Sequence, residues 1–146
     1  MFGFGSSRKT PPSATGQEIL PVEDLQVFGY QCQGVHISYQ GMRLVVDYQW
    51  DPDPVEGPST GGILTFDMVL AYHQTGWRYK WGEGPPTCNW LCEVRNSRWL
   101  ETTRARMVAG SHPPGCHFII EFGDCCVLEV LADSYDLVVR DCLGGN

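Results

Sequence analysis

The sequence predicts an α+β fold: a mostly antiparallel sheet of five to seven strands with one helical segment, at about residues 88–108, packed on it. Three patterns predict it. Apolar and polar residues alternate over 35–50, the period of a half-buried strand. A second alternating stretch, 116–131, is apolar on both faces, as a strand pair covered from both sides is. Between them, 88–108 carries apolar residues at helical spacing. Strands and helix segregated in this way imply helix packed on sheet.

Each element has its own warrant. In 35–50, Val35, Ile37 and Tyr39 run up to Gln40-Gly41, and Met42, Leu44, Val46, Tyr48 and Trp50 run away from it. A turn centred on Gln40-Gly41 pairs Tyr39 with Met42 and Ile37 with Leu44, apolar against apolar, which is what a hairpin register demands. A preceding strand is expected near 26–32. Residues 51–62, with three Pro and three Gly, form a loop. Residues 63–72 alternate again through Leu64, Phe66, Met68, Leu70 and Tyr72, and Gln74-Thr75-Gly76 turns the chain. Trp77, Tyr79 and Trp81 alternate with Arg78 and Lys80, as an exposed edge strand or a loop over the core. In 88–108 the period breaks between Val94 and Trp99, so two short helices or one broken helix are expected, with Asn96 or Ser97 capping the second. Phe118, Ile120 and Phe122 approach a Gly123-Asp124 turn, and Cys125, Val127 and Leu131 continue their face. A last strand covers Tyr135–Arg140.

A chain of 146 residues fits one domain, which at this size buries roughly 70% of its unfolded surface. The Gly-, Ser- and Pro-rich residues 1–18 form a flexible lead-in, 19–143 the domain, and 144–146 a tail. The formal net charge is −7. Such a chain repels phosphate backbones, so no nucleic-acid partner is expected, whereas a basic protein partner is attracted. No apolar run approaches the roughly 20 residues of a membrane span, so no membrane partner is expected either. The start lacks an apolar stretch of leader length, and the seven cysteines are expected to be reduced thiols in a cytoplasmic protein.

Chemistry-bearing motifs are sparse. No phosphate-binding glycine loop and no Gly-x-Ser-x-Gly elbow occurs. Cys88-x-x-x-Cys92, the group His112, Cys116 and His117, and Cys125-Cys126 match no standard zinc spacing, so the cysteines are expected to pack the core and no metal or cofactor is expected. His117, with Glu121 and Glu129 nearby in the hairpin, reads as a hydrogen-bonded structural histidine in preference to an acid–base residue. A pocket holding His117 or His73 beside carboxylates would favour an enzyme or small-ligand reading instead. No catalytic residue is assigned. Asp51, Asp53 and Glu56, in the Pro-rich loop, are the expected acidic contacts to a partner. Trp77 and Tyr79 are the expected aromatic anchors, being types favoured at interface hot spots.

Two segments carry a resemblance: Glu93-Val94-Arg95-Asn96-Ser97-Arg98-Trp99-Leu100, and His117 to Asp124 followed by Leu128 to Tyr135. With Phe66, Val69, Ala71 and Tyr72, they resemble a group of small uncharacterised bacterial proteins, some of which look like the cytoplasmic immunity proteins of polymorphic-toxin systems. The resemblance covers roughly residues 61–140. It implies a non-catalytic protein that occludes a cognate toxin domain, for which a basic surface is expected, and it carries over no site residue. A structural or accessory protein is the alternative, with a small-ligand binder or enzyme behind it. The oligomeric state is left open by the sequence.

Overall fold

In the computed structural model, residues 16–27, 32–51, 60–76, 88–123 and 125–140 are described. The alternating runs become strands: β1 (Glu18–Asp24), β2 (Cys32–Gln40), β3 (Arg43–Trp50), β4 (Thr60–Asp67), β5 (Ala71–Gly76), β6 (Trp90–Arg95), β7 (Cys116–Phe122), β8 (Cys126–Ala132) and β9 (Ser134–Arg140). One helix, α1 (Arg98–Ala105), lies between β6 and β7. The fold class is therefore α+β and mostly antiparallel sheet, with the strands divided between two sheets. One runs β1-β6-β7-β8-β5 and the other β2-β3-β4-β9.

The sheets face one another because each strand of the second turns one apolar row inward, buried in β3 and β4 and partly buried in β2 and β9. Leu44, Val46, Tyr48 and Trp50 of β3, with Leu64 and Phe66 of β4, meet Phe118, Ile120 and Phe122 of β7 and Leu128 and Val130 of β8 in one core. Phe66 meets Phe118 with ring centroids 5.4 Å apart, and Tyr48 meets Phe122 at 5.8 Å. Each such side chain contributes on the order of 1.5–3 kcal/mol by leaving water. The other face of the five-stranded sheet buries a smaller cluster, Cys92, Val94, Ile119 and Val127. The expectation that 116–131 lies centrally, covered on both sides, is met: every residue of β8 is buried.

Several local expectations are corrected. The β2–β3 turn is Gly41-Met42, so Gln40 pairs with Arg43 and Tyr39 with Leu44, two residues from the expected register. Both turn residues have positive φ, 56° and 42°, the requirement of a tight hairpin turn; the glycine serves as the first of them. The slip is even, so the buried face is unchanged. In the β7–β8 connection Phe122 pairs with Cys126. Three residues intervene in place of two, and the odd shift puts Cys126, Leu128 and Val130 on the face expected to hold Cys125, Val127 and Leu131. Residues 90–95 form a strand where a first short helix was expected. Leu91, Cys92 and Val94 are all buried, and a short run apolar on both faces has no period to distinguish helix from strand. Asn89 and Asn96, at φ 63° and 58°, bracket this strand with left-handed turns. Ser97 caps α1, its Oγ accepting from Leu100 N–H at 3.0 Å.

Residues 25–27 are not strand, and β1 lies earlier than the strand expected near 26–32. Residues 74–76, expected to turn, belong to β5. Cys32 and Cys125 are joined in a disulfide, so the expectation of reduced thiols fails for this pair. The bond ties the start of β2 to the residue just before β8, one sheet to the connection of the other. Residues 1–15 of the expected lead-in and the 144–146 tail lie outside the described residues.

Candidate functional site

The run read as one strand over 63–72 is broken at its middle. β4 ends at Asp67, Met68 takes φ 58°, and the chain crosses to the opposite sheet before β5 begins at Ala71. Hydrogen bonds hold the crossover: Val69 N–H donates to Met42 O at 2.8 Å, and Leu70 N–H to Leu131 O at 3.0 Å. Val69 plugs the core and is 1% exposed. Its neighbours Met68 and Leu70 consequently point outward. The Tyr39 hydroxyl donates to Val69 O at 3.3 Å, and the Tyr39 ring meets Tyr72 of β5 at 5.6 Å.

One end of the molecule thereby gathers Tyr39, Met42, Met68, Leu70 and Tyr72, each between 38% and 47% exposed. Beside Met42 and Met68 lies an open groove of about 470 Å³, floored by Ser38 and Val45 and flanked by the Arg43–Asp67 ion pair at 2.8 Å. The two methionines stand in left-handed backbone, which costs an ordinary side chain about 1–2 kcal/mol and which Gly or Asn occupies more cheaply. The turn and the crossover require this backbone but not a large exposed side chain, so a methionine kept at each position points to a use for the side chain.

A second constellation lies on the outer face of the five-stranded sheet. Buried His117 shares a 2.7 Å hydrogen bond between Nδ1 and Ser97 Oγ, and a 2.8 Å bond between Nε2 and Glu129 Oε1. Half-exposed His73, on edge strand β5, sets Nε2 3.3 Å from Glu129 Oε2. Trp99 of α1 stands edge-on to both imidazoles, 5.3 Å from His73 and 5.2 Å from His117. One donor–acceptor order follows from the capping bond. Leu100 N–H donates to Ser97, Ser97 O–H to His117 Nδ1, and His117 Nε2–H to Glu129; this tautomer is assigned from the network. Hydroxyl, imidazole and carboxylate are thus in series. Ser97 is nevertheless buried, and its oxygen already accepts the helix-capping amide, so the series suits structural support better than attack on a substrate. Burial, with Glu93 beside Cys116, pushes the Cys116 thiol up; burial does the same to Cys126. Both are held away from the reactive thiolate. Among the described residues, no three His, Cys, Asp or Glu side chains form a group that could hold a metal ion. No helix among them is long and apolar enough to cross a membrane.

Of the expected contact residues, Asp51 is partly buried just after β3. Asp53, Glu56, Trp77 and Tyr79 lie outside the described residues. The exposed apolar end was missed because Tyr39, Met68, Leu70 and Tyr72 continue alternating runs and so read as core. The signal available was the adjacent Gly41-Met42, a turn dipeptide with a large apolar second residue.

Comparison of the chain with protein-family models, with curated proteins and with solved structures gives no match. Geometry therefore carries the functional argument. The apolar end is the better candidate site, because it is exposed and strained while Ser97, His117 and Glu129 of the histidine network are buried.

Proposed function

We propose that this chain is a non-catalytic protein-binding module, most specifically an immunity-type protein that neutralises a cognate toxin by occluding it. The observation that carries the binding reading is the pair of methionines, Met42 and Met68, held in left-handed backbone with exposed side chains beside Tyr39, Leu70 and Tyr72. Methionine is flexible and polarizable, and it suits surfaces that must adapt to a partner. A net charge of −7 favours a basic partner and speeds its encounter. The immunity step rests on the resemblance over residues 61–140 and on the absence of any need for chemistry in such a role.

A tagged pull-down from the native host, read by mass spectrometry, tests this. The expected result is one basic protein in stoichiometric amount, lost when Met42 and Met68 are replaced by Asn. Retention of that protein by the double variant would remove the apolar end from the site. Recovery of chaperones alone would sink the binding reading.

The immunity reading also carries a cytoplasmic location. Disulfides rarely persist there, so a Cys32–Cys125 bond found intact in rapidly alkylated cells would argue for an oxidising compartment instead.

A further inference from the structure

We propose that β2 pairs with β2 of a second copy of this chain, antiparallel about a two-fold axis through Ile37, joining two four-stranded sheets into one. The argument begins with the four strand edges that the two sheets expose, those of β1 and β5 and those of β2 and β9. An open edge presents unpaired backbone groups to any other strand, and proteins blunt such edges with proline, bulges, charge or shortness.

Three of the four are blunted. β1 contains Pro21, a register shift between Pro21 and Glu23, and three acids. β9 carries Asp136 and Arg140. β5 has only six residues, and its His73 is turned to Glu129. β2 is the longest of the four at nine residues, and Cys32–Gln40 contains no proline and no Asp, Glu, Lys or Arg. Its irregularity lies at one end, between Cys32 and Gly34. The regular run Gly34–Gln40 is open, and among the described residues only β3 pairs with it.

The pattern of that run specifies its partner. A two-fold axis through Ile37 sets Val35 against Tyr39, His36 against Ser38 and Gly34 against Gln40 of the second copy. This is the centring that uses the whole regular run. Apolar Val35, Ile37 and Tyr39 then continue the buried row of the sheet. An axis between two residues would set apolar against polar side chains and is excluded by the face rule. Aromatic against β-branched is a favourable cross-strand pair. Two chains of charge −7 repel, so a contact between copies costs least where formal charge is absent, as it is along β2. The contact is isologous and closes at two subunits. It shares Tyr39 and the groove residues Ser38 and Gln40 with the apolar end but uses neither Met42 nor Met68, so the mass of the chain alone in sedimentation is read separately from the capture of a partner.

Sedimentation velocity on the full chain, disulfide intact, across the micromolar range tests it. The expected result is a concentration-dependent species of twice the chain mass. His36 and Ser38 are exposed and face each other across the proposed axis. The double substitution H36K/S38K therefore places like charges opposite one another and is expected to give monomer with an unchanged circular dichroism spectrum. H36E/S38E is expected to do the same. A one-to-one mixture of the two variants should recover the doubled mass. A wild-type chain that stays monomeric overturns the proposal. So does a dimer that survives both double substitutions, or a mixture that remains monomeric.

Discussion

Tyr39 and Tyr72 meet across the two sheets with ring centroids 5.6 Å apart, fastening edge strand β2 to edge strand β5. On the opposite flank Tyr135 of β9 donates its hydroxyl to Glu23 of β1 at 2.8 Å. One flank is thus closed by two rings and lacks formal charge on its edge strands; the other is closed by a phenol on a carboxylate, among charged neighbours. Tyr39 and Tyr72 of the apolar end thus sit on edge strands without formal charge, where a partner can bury the rings without stripping water from ions.

Replacing Met42 and Met68 by Asn separates folding from binding. Asn enters left-handed backbone more easily than Met, so each change is expected to stabilise by about 0.5–1 kcal/mol, read as a higher urea midpoint. The same double variant is expected to lose at least about tenfold in partner affinity, roughly 1.4 kcal/mol. A variant that melts earlier would show that the methionines serve the fold, and the binding assignment would lose its basis.

The class of fold was legible because alternation survives small errors of register. The β2–β3 turn was misplaced by one residue, yet the pairing moved by two and left Leu44, Val46 and Tyr48 on the buried face. The β7–β8 loop was misjudged by one residue with the opposite effect, since an odd shift exchanges faces. The division into two sheets was not legible. It depends on the crossover at Met68–Leu70, where alternation continues through a break in the backbone. The apolar end was hidden for the same reason, since periodicity tells which residues share a face and not whether anything covers it. His117 and Glu129 were flagged as neighbours through the hairpin, whereas Ser97 and His73 reach them from α1 and β5, which only the tertiary fold brings near.

Gly62 to Ala is expected to be among the costlier single changes. A Cβ there would stand 2.5 Å from Tyr48 Oη and 2.8 Å from Val138 O, with backbone on one side and a buried ring on the other. Tyr48 cannot retreat freely, because its hydroxyl donates to Leu25 O at 3.0 Å in the core. Overpacking of this kind costs about 1–3 kcal/mol. Gly76 to Ala, where a Cβ meets nothing within 4 Å, is the control and should stay within about 0.5 kcal/mol. Urea unfolding of both variants checks the contrast.

The Ser97–His117–Glu129 series is expected to act on stability. Glu129 to Ala removes the carboxylate that accepts from buried His117 and half-exposed His73, and should cost about 2–4 kcal/mol. Glu129 to Gln keeps one carbonyl oxygen for His117 and should cost about half as much. Ser97 to Ala removes the cap of α1, at about 1 kcal/mol, together with the hydroxyl bonded to His117 Nδ1. Trp99 stands against both imidazoles, so its fluorescence should shift in the Glu129 variants before global unfolding. An unchanged midpoint in Glu129 to Ala would refute the structural role and return the series to consideration as reactive chemistry.

Tyr135 supplies a test at high pH. Burial, then its hydrogen bond to Glu23 and the charge of that carboxylate, push its phenol up to about 12. A pKa raised in the folded state means that the native chain holds a proton the unfolded chain has released. The contribution is complete below about pH 10, the ordinary tyrosine value, and is lost as the pH rises through the folded value. Stability is therefore expected to fall between about pH 10 and 12, faster in the wild type than in Tyr135 to Phe, which has no proton to lose there. Wild-type and variant unfolding curves with equal slopes across that window would show that the fold does not raise the phenol. A steeper fall in the wild type would place part of the alkaline sensitivity at the Tyr135 phenol on the charged flank.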